Sequence, residues 1–195
     1  WMPNLLGATP DSDREDFKRL WAVACPDELK IYPTQLLADT DLYGFWERGD
    51  YHPYDSETLT QLIADLKPGI PPYCRVNRII RDIPSTHVIE GNKRTSLRMD
   101  VTEELKRRGQ TCGCIRCHEV RGTAVDSAGL VLEDFTYPAG TAGEHFINFR
   151  TPTGQIAGYL RLSLPGEGAP ALGFSDLEGA ALIREVHVYG QAVNV

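Results

Sequence analysis

The sequence predicts an α/β region followed by an α+β region that is rich in antiparallel strands. Two observations carry this expectation. In residues 1–85, amphipathic helical patterns alternate with short apolar strand patterns. From about residue 120 onward, strand patterns divided by Gly, Pro and Asp turns replace the helical ones.

The first region predicts three helices and two strands. Phe17, Leu20 and Trp21 recur on one face of the first helix, which Asp11 or Ser12 would cap. The helices are predicted over residues 12–23, 41–48 and 56–67, and the strands over residues 29–32 and 73–81. Such an alternation is typical of the later part of an α/β barrel or of a wound parallel sheet.

One basic helix separates the two regions, and the second region reads as strands. Leu97, Val101 and Leu105 form a stripe on a helix over residues 95–108, which Gly109 ends. The predicted strands of the second region cover residues 129–136, 144–151, 155–164 and 181–189. We place the boundary between the regions near residues 85–110.

Composition and length favour a globular chain of one or two domains. The 195 residues are 42% hydrophobic and 24% charged, which excludes a disordered protein. No apolar run approaches the roughly 18 residues of a membrane span, and no signal peptide is visible. Five cysteines fit a reducing cytosol, so we expect a cytoplasmic protein without a membrane partner. Because the chain starts on Trp1 with Met2 behind it, we expect a piece of a longer protein.

The charge is distributed unevenly along the chain. The net charge is −7, yet residues 75–121 contain 11 Lys or Arg and 6 Asp or Glu, a net charge of +5. A basic segment in an acidic chain is either a surface for a polyanion or a solvated helix face. The cations selected as phosphate contacts of an RNA are Lys93, Arg94, Arg98, Lys106, Arg107 and Arg108.

Three cysteines within six residues predict a metal site. Cys112, Cys114 and Cys117 offer soft ligands at spacings of two and three residues, and Gly113 makes the loop easy to close. We expect one Zn²⁺ in a closed, structural site that holds the linker between the two regions. Cys25, Cys74, His118 and a more distant side chain remain open as the fourth ligand. The alternative is three small, partly buried residues without a metal.

Two strand segments carry candidate catalytic residues. Lys30 and Tyr32 lie at a strand end just before Pro33, where an α/β barrel would place its active site. In the last strand, Glu185 and His187 alternate with Val186 and Val188, a pattern that an ordinary sheet face would also show. The sequence contains no P-loop, GxGxxG, HExxH or GxSxG motif.

Five short sequences, taken together, resemble one family: the catalytic subunit of Elongator and its single-protein archaeal and bacterial homologues. They occur in the family's order across nearly the whole chain. They are Lys30-Ile31-Tyr32-Pro33, Leu42-Tyr43 with Trp46 and Gly49, Arg78 with Arg81-Asp82-Ile83-Pro84, Cys114-Ile115-Arg116-Cys117-His118-Glu119-Val120, and Arg184-Glu185-Val186-His187-Val188-Tyr189-Gly190.

The resemblance implies a fold and an activity. Residues 1–85 would be the C-terminal part of a radical-SAM, TIM-like barrel, and residues 86–120 a basic linker with the Cys-rich metal loop. Residues 121–195 would be the N-terminal half of a GNAT-type acetyltransferase domain. The family modifies tRNA uridine 34 to a 5-carboxymethyl form with acetyl-CoA, S-adenosylmethionine and a 4Fe–4S cluster.

The resemblance also implies roles for residues and partners. Lys30, Tyr32 and His187 would be catalytic, and the backbone from Glu185 to Val188 would bind acetyl-CoA, with Val186 and Val188 fixing that strand against the core. The partners would be tRNA, acetyl-CoA, and either a second copy of the chain or Elongator-like subunits.

The sequence departs from the family in two places. The iron–sulfur cysteines and the glycine-rich pyrophosphate loop have no counterpart here, so we expect the cluster ligands outside this chain and no activity from the chain alone. Two alternative functions follow from the same features. They are a protein lysine acetyltransferase of the same fold and a non-catalytic, zinc-containing RNA-binding module.

Overall fold

The computed structural model of the chain describes residues 1–80, 83–122, 124–171 and 173–190. The chain divides into two compact units. The first comprises Trp1–Ala22 and Pro26–Cys114, and the second comprises Val23–Cys25 and Ile115–Val195. None of the helices in the described ranges is long and apolar enough to cross a membrane.

The described residues of the first unit form four α-helices and two strands, in the predicted order. Its elements are α1 (Pro10–Arg19), β1 (Glu28–Ile31), α2 (Asp41–Glu47), α3 (Ser56–Leu66), β2 (Arg75–Ile79) and α4 (Leu97–Arg107). The prediction of the α1 cap was wrong, because Thr9 caps the helix in a reciprocal capping box with Ser12. Pro10 then occupies the first helical turn, where its missing N–H costs nothing.

The strands of the first unit pair in parallel, as the alternation predicted. Leu29 lies opposite Val76 and Ile31 opposite Ile79, and all four side chains are buried. On the other side of β1, the Trp1 ammonium donates to the Lys30 carbonyl at 2.9 Å, and the Tyr32 N–H donates to the Trp1 carbonyl at 2.9 Å. The first residues therefore follow β1 in the manner of a third parallel strand.

An ion-pair network joins helices α3 and α4. The Arg108 guanidinium contacts Asp65 Oδ1 at 2.6 Å and Glu104 Oε1 at 2.5 Å, and it also bonds Gln61. Arg14 approaches the other Asp65 oxygen at 2.7 Å, which connects α1 to the same network. The Arg108 side chain is only 21% exposed, so water screens these charges incompletely.

The network shifts the pKa values of both acids downward. Hydrogen bonds from Arg107 and Arg108 lower the pKa of Glu104 to about 2. Burial would raise the pKa of Asp65, but hydrogen bonds from Arg14 and Arg108 outweigh it and lower that pKa. Both carboxyls are therefore charged at neutral pH.

The second unit is built on an antiparallel sheet in the order β3-β4-β5-β6. Its elements are a short helix α5 (Ile115–His118) and strands β3 (Val131–Ala139), β4 (Ala142–Arg150), β5 (Ile156–Pro165) and β6 (Leu182–Val188). All four predicted strands are confirmed, with ends that shift by one to three residues. Each strand pairs with its neighbours in sequence, so β3 and β6 form the edges of the sheet within the described part of this unit.

The two faces of this sheet differ in burial. One face carries Glu144, Phe146, Asn148, Tyr159 and Arg161, which are all buried. The opposite face exposes apolar side chains along every strand. They include Leu132, Phe149, Leu164, Val186 and Val188.

We expect Arg108→Ala to lower the free energy of unfolding by about 1–2 kcal/mol, because it leaves Asp65 and Glu104 without a shared cation. Urea unfolding measures this change. Arg107→Ala is the matched control: Arg107 also bonds Glu104 but is 72% exposed, so water screens its charge and its loss should cost clearly less than the loss of Arg108. Equal costs for the two variants would contradict this account of the network.

The same network predicts an acid dependence of stability. The folded-state pKa of Glu104 lies below its ordinary value of 4.5, so its contribution is present above that value and is lost as the pH falls toward about 2. When the pH is lowered from neutral to about 3, the free energy of unfolding should therefore fall less for Arg108→Ala than for the unchanged protein.

Candidate functional site

Three cysteine thiols cluster in the segment Cys112–Cys117. Their sulfur atoms lie within 4.8 Å of one another. Cys112 and Cys114 are buried and Cys117, on helix α5, is exposed. Sulfurs that share a zinc ion at about 2.3 Å lie about 3.8 Å apart in a tetrahedral site, so a small adjustment would complete three corners.

The chemistry of the cluster suits a soft metal ion. All five cysteines are reduced thiols, and the Cys114 N–H approaches Cys112 Sγ at 3.5 Å, a contact that favours a thiolate. No other group of three metal-ligating side chains occurs among the residues that the structure describes. Cys25, Cys74 and His118, the predicted alternatives for the fourth ligand, are not part of the group.

Gly113 shapes the loop that holds these thiols. A Cβ atom at Gly113 would lie 2.4 Å from the Ile70 carbonyl oxygen, a distance that real Cβ atoms do not tolerate. The neighbour is backbone and has no flexible end to move away. The close approach, and not only easy loop closure, therefore requires glycine at this position.

Lys30 and Tyr32 lie at the carboxyl end of β1, as the strand pattern predicted. Lys30 is exposed and pairs in register with Arg78 on β2. Because the strands are parallel, the two cations lie side by side at the same end of the sheet. Ile80, directly after β2, has a φ of +82°, which a β-branched residue rarely adopts. Arg81 and Asp82, which the sequence motif includes, lie outside the described residues.

The predicted phosphate contacts separate into two groups. Lys93, Arg94, Lys106 and Arg107 are exposed. Arg98 and Arg108 are not available in the same way, because the Arg98 Nη2 donates to the Val76 carbonyl at 3.1 Å and Arg108 joins the α3–α4 network. These two guanidinium groups make contacts within the first unit, and the expectation that all six cations contact an RNA stays a prediction.

Strand β6 has a free backbone edge within the described part of the chain. It pairs only with β5 and forms the end of the sheet. The Tyr189 N–H donates to the Ala157 carbonyl at 2.9 Å, so the odd-numbered residues of β6 bond inward to β5. By the same alternation, the N–H and C=O groups of Val186 and Val188 point away from the sheet.

The expectation that Val186 and Val188 fix β6 against a core was wrong for this chain. Their exposed fractions are 63% and 80%. They lie on the apolar face of the sheet that stays exposed, whereas the buried side chains of β4 and β5 lie on the other face. The alternation of side chains along β6 was predicted correctly. The prediction of which face of the strand is buried was not correct.

The other side chains of β6 belong to a polar network on the buried face. Glu185 accepts hydrogen bonds from the Tyr159 hydroxyl at 2.6 Å and from Arg161 Nε at 2.7 Å. The His187 ring stacks on Tyr159 with a centroid distance of 5.5 Å and an interplanar angle of 9°. The Tyr189 ring also lies beside the imidazole, with a centroid distance of 4.4 Å.

A second ion pair crosses the same face. Arg184 Nη2 approaches Glu144 Oε2 at 2.6 Å, and the Glu144 side chain is 6% exposed. The register of β5 and β6 is irregular beside Arg161, which lies opposite Glu185, while Leu162 lies opposite Ile183. Arg184 is thus the extra residue of a bulge, which turns its side chain toward the charged face.

Tyr159, Arg161 and Glu144 were not identified from the sequence. The signal present there was the alternation of Tyr159 and Arg161 along β5, at the same period as Glu185 and His187 along β6. Their contacts depend on the register between strands, which the pattern of a single strand does not contain.

Comparison with known proteins gives consistent matches. Residues 26–107 match the family described as Radical_SAM C-terminal domain. The whole chain aligns at 38% identity with a tRNA uridine(34) acetyltransferase from Dehalococcoides mccartyi, of which it covers 43%. It also aligns at 33% identity with Elongator complex protein 3 from Homo sapiens, of which it covers 36%.

A solved structure agrees with these alignments. The archaeal Methanocaldococcus infernus Elp3, with its first 46 residues deleted, superposes on 97% of the chain with a TM-score of 0.86 and 31% identity, and 46% of that chain is covered. The chain thus spans less than half the length of these relatives. Agreement in sequence along the whole chain and in structure along 97% of it shows that the chain is homologous to part of the tRNA uridine(34) acetyltransferases and of Elongator complex protein 3.

Proposed function

We propose that this chain is part of an acyltransferase that modifies uridine 34 of tRNA, the wobble position, by carboxymethylation with the acetyl group of acetyl-CoA. The observation that carries the proposal is the 38% identity over the whole chain with a relative named for acetyl transfer to tRNA uridine 34. The outer edge of β6, which has no partner strand among the described residues, supports it from the geometry. Such an enzyme would act in the cytoplasm, where its thiols stay reduced.

We propose that the first unit belongs to the end of a radical-SAM barrel, with residues 1–85 as barrel and residues 86–120 as linker. The support is the parallel order of the initial residues, β1 and β2, which follows the order in sequence as in a barrel. Residues 121–195 would form the first half of a GNAT-type domain. Their four antiparallel strands support this assignment.

In this proposal, the carboxyl end of the parallel strands faces the radical chemistry. Lys30 and Arg78 offer adjacent positive charges there, and Tyr32 offers a phenol, which together suit an anionic cofactor group or a phosphate. When bound, S-adenosylmethionine and a 4Fe–4S cluster supply the radical chemistry. The described residues contain one thiol triad only, and we assign it to zinc, so we place the cluster ligands outside this chain.

Acetyl-CoA would bind along β6. The extended pantetheine arm contains amide groups, and the outward N–H and C=O groups of Val186 and Val188 are spaced to pair with them as an added strand. His187 lies on the same strand and turns its imidazole to the polar face, where it would transfer a proton at the thioester. The cofactor-binding segment is therefore the backbone from Glu185 to Val188.

The tRNA surface would use the exposed cations of the first unit. Lys93, Arg94, Lys106 and Arg107 lie on or before α4 and keep their side chains at the surface. Arg94 and Arg107 also face Asp100 and Glu104, so a phosphate would have to compete with these acids. Lys93 and Lys106 carry the more available charges.

For acetyl-CoA, Val186→Pro in a protein of the relatives' full length should weaken cofactor affinity about tenfold, because it removes one outward N–H donor. The fold should survive, since proline is tolerated where an edge-strand N–H faces outward. Calorimetric titration with acetyl-CoA measures the affinity. Val186→Ala keeps the N–H and is the control. A folded Val186→Pro protein with unchanged affinity would show that β6 is not the cofactor strand.

For the metal, we expect one zinc ion per chain, bound by Cys112, Cys114 and Cys117. Gly113→Ala should lower the zinc content to a small fraction, because the added Cβ meets the Ile70 carbonyl and moves the loop. Elemental analysis of folded protein measures the content. Cys25→Ser is the control and should keep the ion. Folded, unchanged protein that contains neither zinc nor another soft metal would refute the site.

For tRNA, the double change Lys106→Ala with Arg107→Ala should weaken binding and reduce the log–log salt slope by about 0.7–0.9 for each phosphate that the protein no longer neutralises. Filter binding at several salt concentrations measures both quantities. Lys18→Ala with Arg19→Ala on α1 removes equally exposed cations that pair with Glu15 and Asp16, and should change neither. Equal losses of affinity from both double variants would mean that α4 is not a specific RNA surface.

A further inference from the structure

We propose that Tyr159 is a positioning residue for His187, and that Glu185 and Arg161 hold Tyr159 in place. The inference rests on the proposed function, in which His187 acts on the thioester of acetyl-CoA. It adds the reason why an exposed histidine on an edge strand keeps a defined orientation.

The ring of Tyr159 stacks on the ring of His187. Tyr159 and His187 are directly opposite each other on β5 and β6, and their rings are nearly parallel, 9° apart at 5.5 Å. Tyr159 is buried, at 4% exposure, and so presents a fixed surface. Tyr189 bounds the imidazole on another side at 4.4 Å. Two rings therefore restrict the rotation of the His187 side chain.

Glu185 and Arg161 hold the Tyr159 side chain in place. Its hydroxyl donates to Glu185 Oε1 at 2.6 Å, and the other Glu185 oxygen accepts from Arg161 Nε at 2.7 Å. The Arg161 side chain is 1% exposed, and its guanidinium lies over the rings of Phe146 and Tyr159 at 5.4 and 5.2 Å. These contacts hold the hydroxyl and the face of the phenol ring.

The pKa shifts of Tyr159 and Glu185 fix their protonation states. Burial, followed by the hydrogen bond to Glu185, raises the pKa of Tyr159, which keeps the phenol a donor. Burial opposes ionisation of Glu185, but the hydrogen bonds from Tyr159 and Arg161 outweigh it and lower its pKa. Glu185 is thus a fixed anion with two donors and a poor general base. The three residues hold geometry and leave proton transfer to His187.

This geometry would serve the hydrolysis of the thioester. His187 takes a proton from a water molecule whose oxygen bonds to the thioester carbonyl carbon. The carbon–sulfur bond then breaks, the sulfur leaves with the electron pair, and the imidazolium returns the proton to it. The products are a carboxylic acid and the free thiol of coenzyme A.

The test is a double-mutant cycle in a protein of the relatives' full length, with tRNA-dependent acetyl-CoA hydrolysis as the readout. Tyr159→Phe should lower kcat about tenfold and leave the KM for acetyl-CoA within about twofold. In the His187→Ala background, Tyr159→Phe should change kcat by less than about twofold, because the residue acts through His187. Tyr137→Phe, a half-buried tyrosine on β3, is the control and should change neither constant.

Three results would overturn the inference. Multiplicative effects of the two changes would show that Tyr159 acts independently of His187. An unchanged kcat for His187→Ala, together with the affinity loss of Val186→Pro, would overturn the positioning role and leave the proposed function standing. No tRNA-dependent hydrolysis by the unchanged protein that binds both ligands would overturn both.

Discussion

The register between β5 and β6 is the constraint on which the second unit depends. It places Tyr159 opposite His187 and Arg161 opposite Glu185. A slip of one residue would exchange the two faces of β6 and bring Val186 and Val188 to the polar side. Arg161, the one charged side chain of β5, would then lose its contact with Glu185, so charge pairing and strand register stabilise each other. The bulge at Arg184 adds a second charged contact, to Glu144, without disturbing this arrangement.

In the first unit, the same cations have two competing uses. A guanidinium that pairs with carboxylates stabilises the packing of two helices, and a guanidinium that faces solvent can bind phosphate. Arg108 pairs with carboxylates within the fold, whereas the exposed ammonium group of Lys106 faces solvent. A net positive segment therefore overstates the charge available to a polyanion, because part of it is neutralised within the fold.

Local patterns predicted the elements well, and distant contacts were beyond them. The alternation of β3 to β6 and the stripe of α4 come from neighbours in sequence, which is why both were identified. Thr9 was missed as a cap because the choice among Thr9, Asp11 and Ser12 depends on where Pro10 enters the helix. The thiol triad was visible because its members are six residues apart or less. Arg108 and Asp65 are 43 residues apart, and no local sequence pattern indicates their contact.

Among the described residues no strand pairs with the outer edge of β6, and such an edge has a cost beyond ligand binding. An open row of amide groups beside exposed Val186 and Val188 offers any extended polypeptide the same hydrogen bonds and apolar contacts that it offers a cofactor arm. Natural sheets protect such edges with charges or proline, and this strand has neither on its apolar face. Before the edge is occupied, the strand is a template for aggregation, so a newly made chain is most vulnerable in the interval before something covers it.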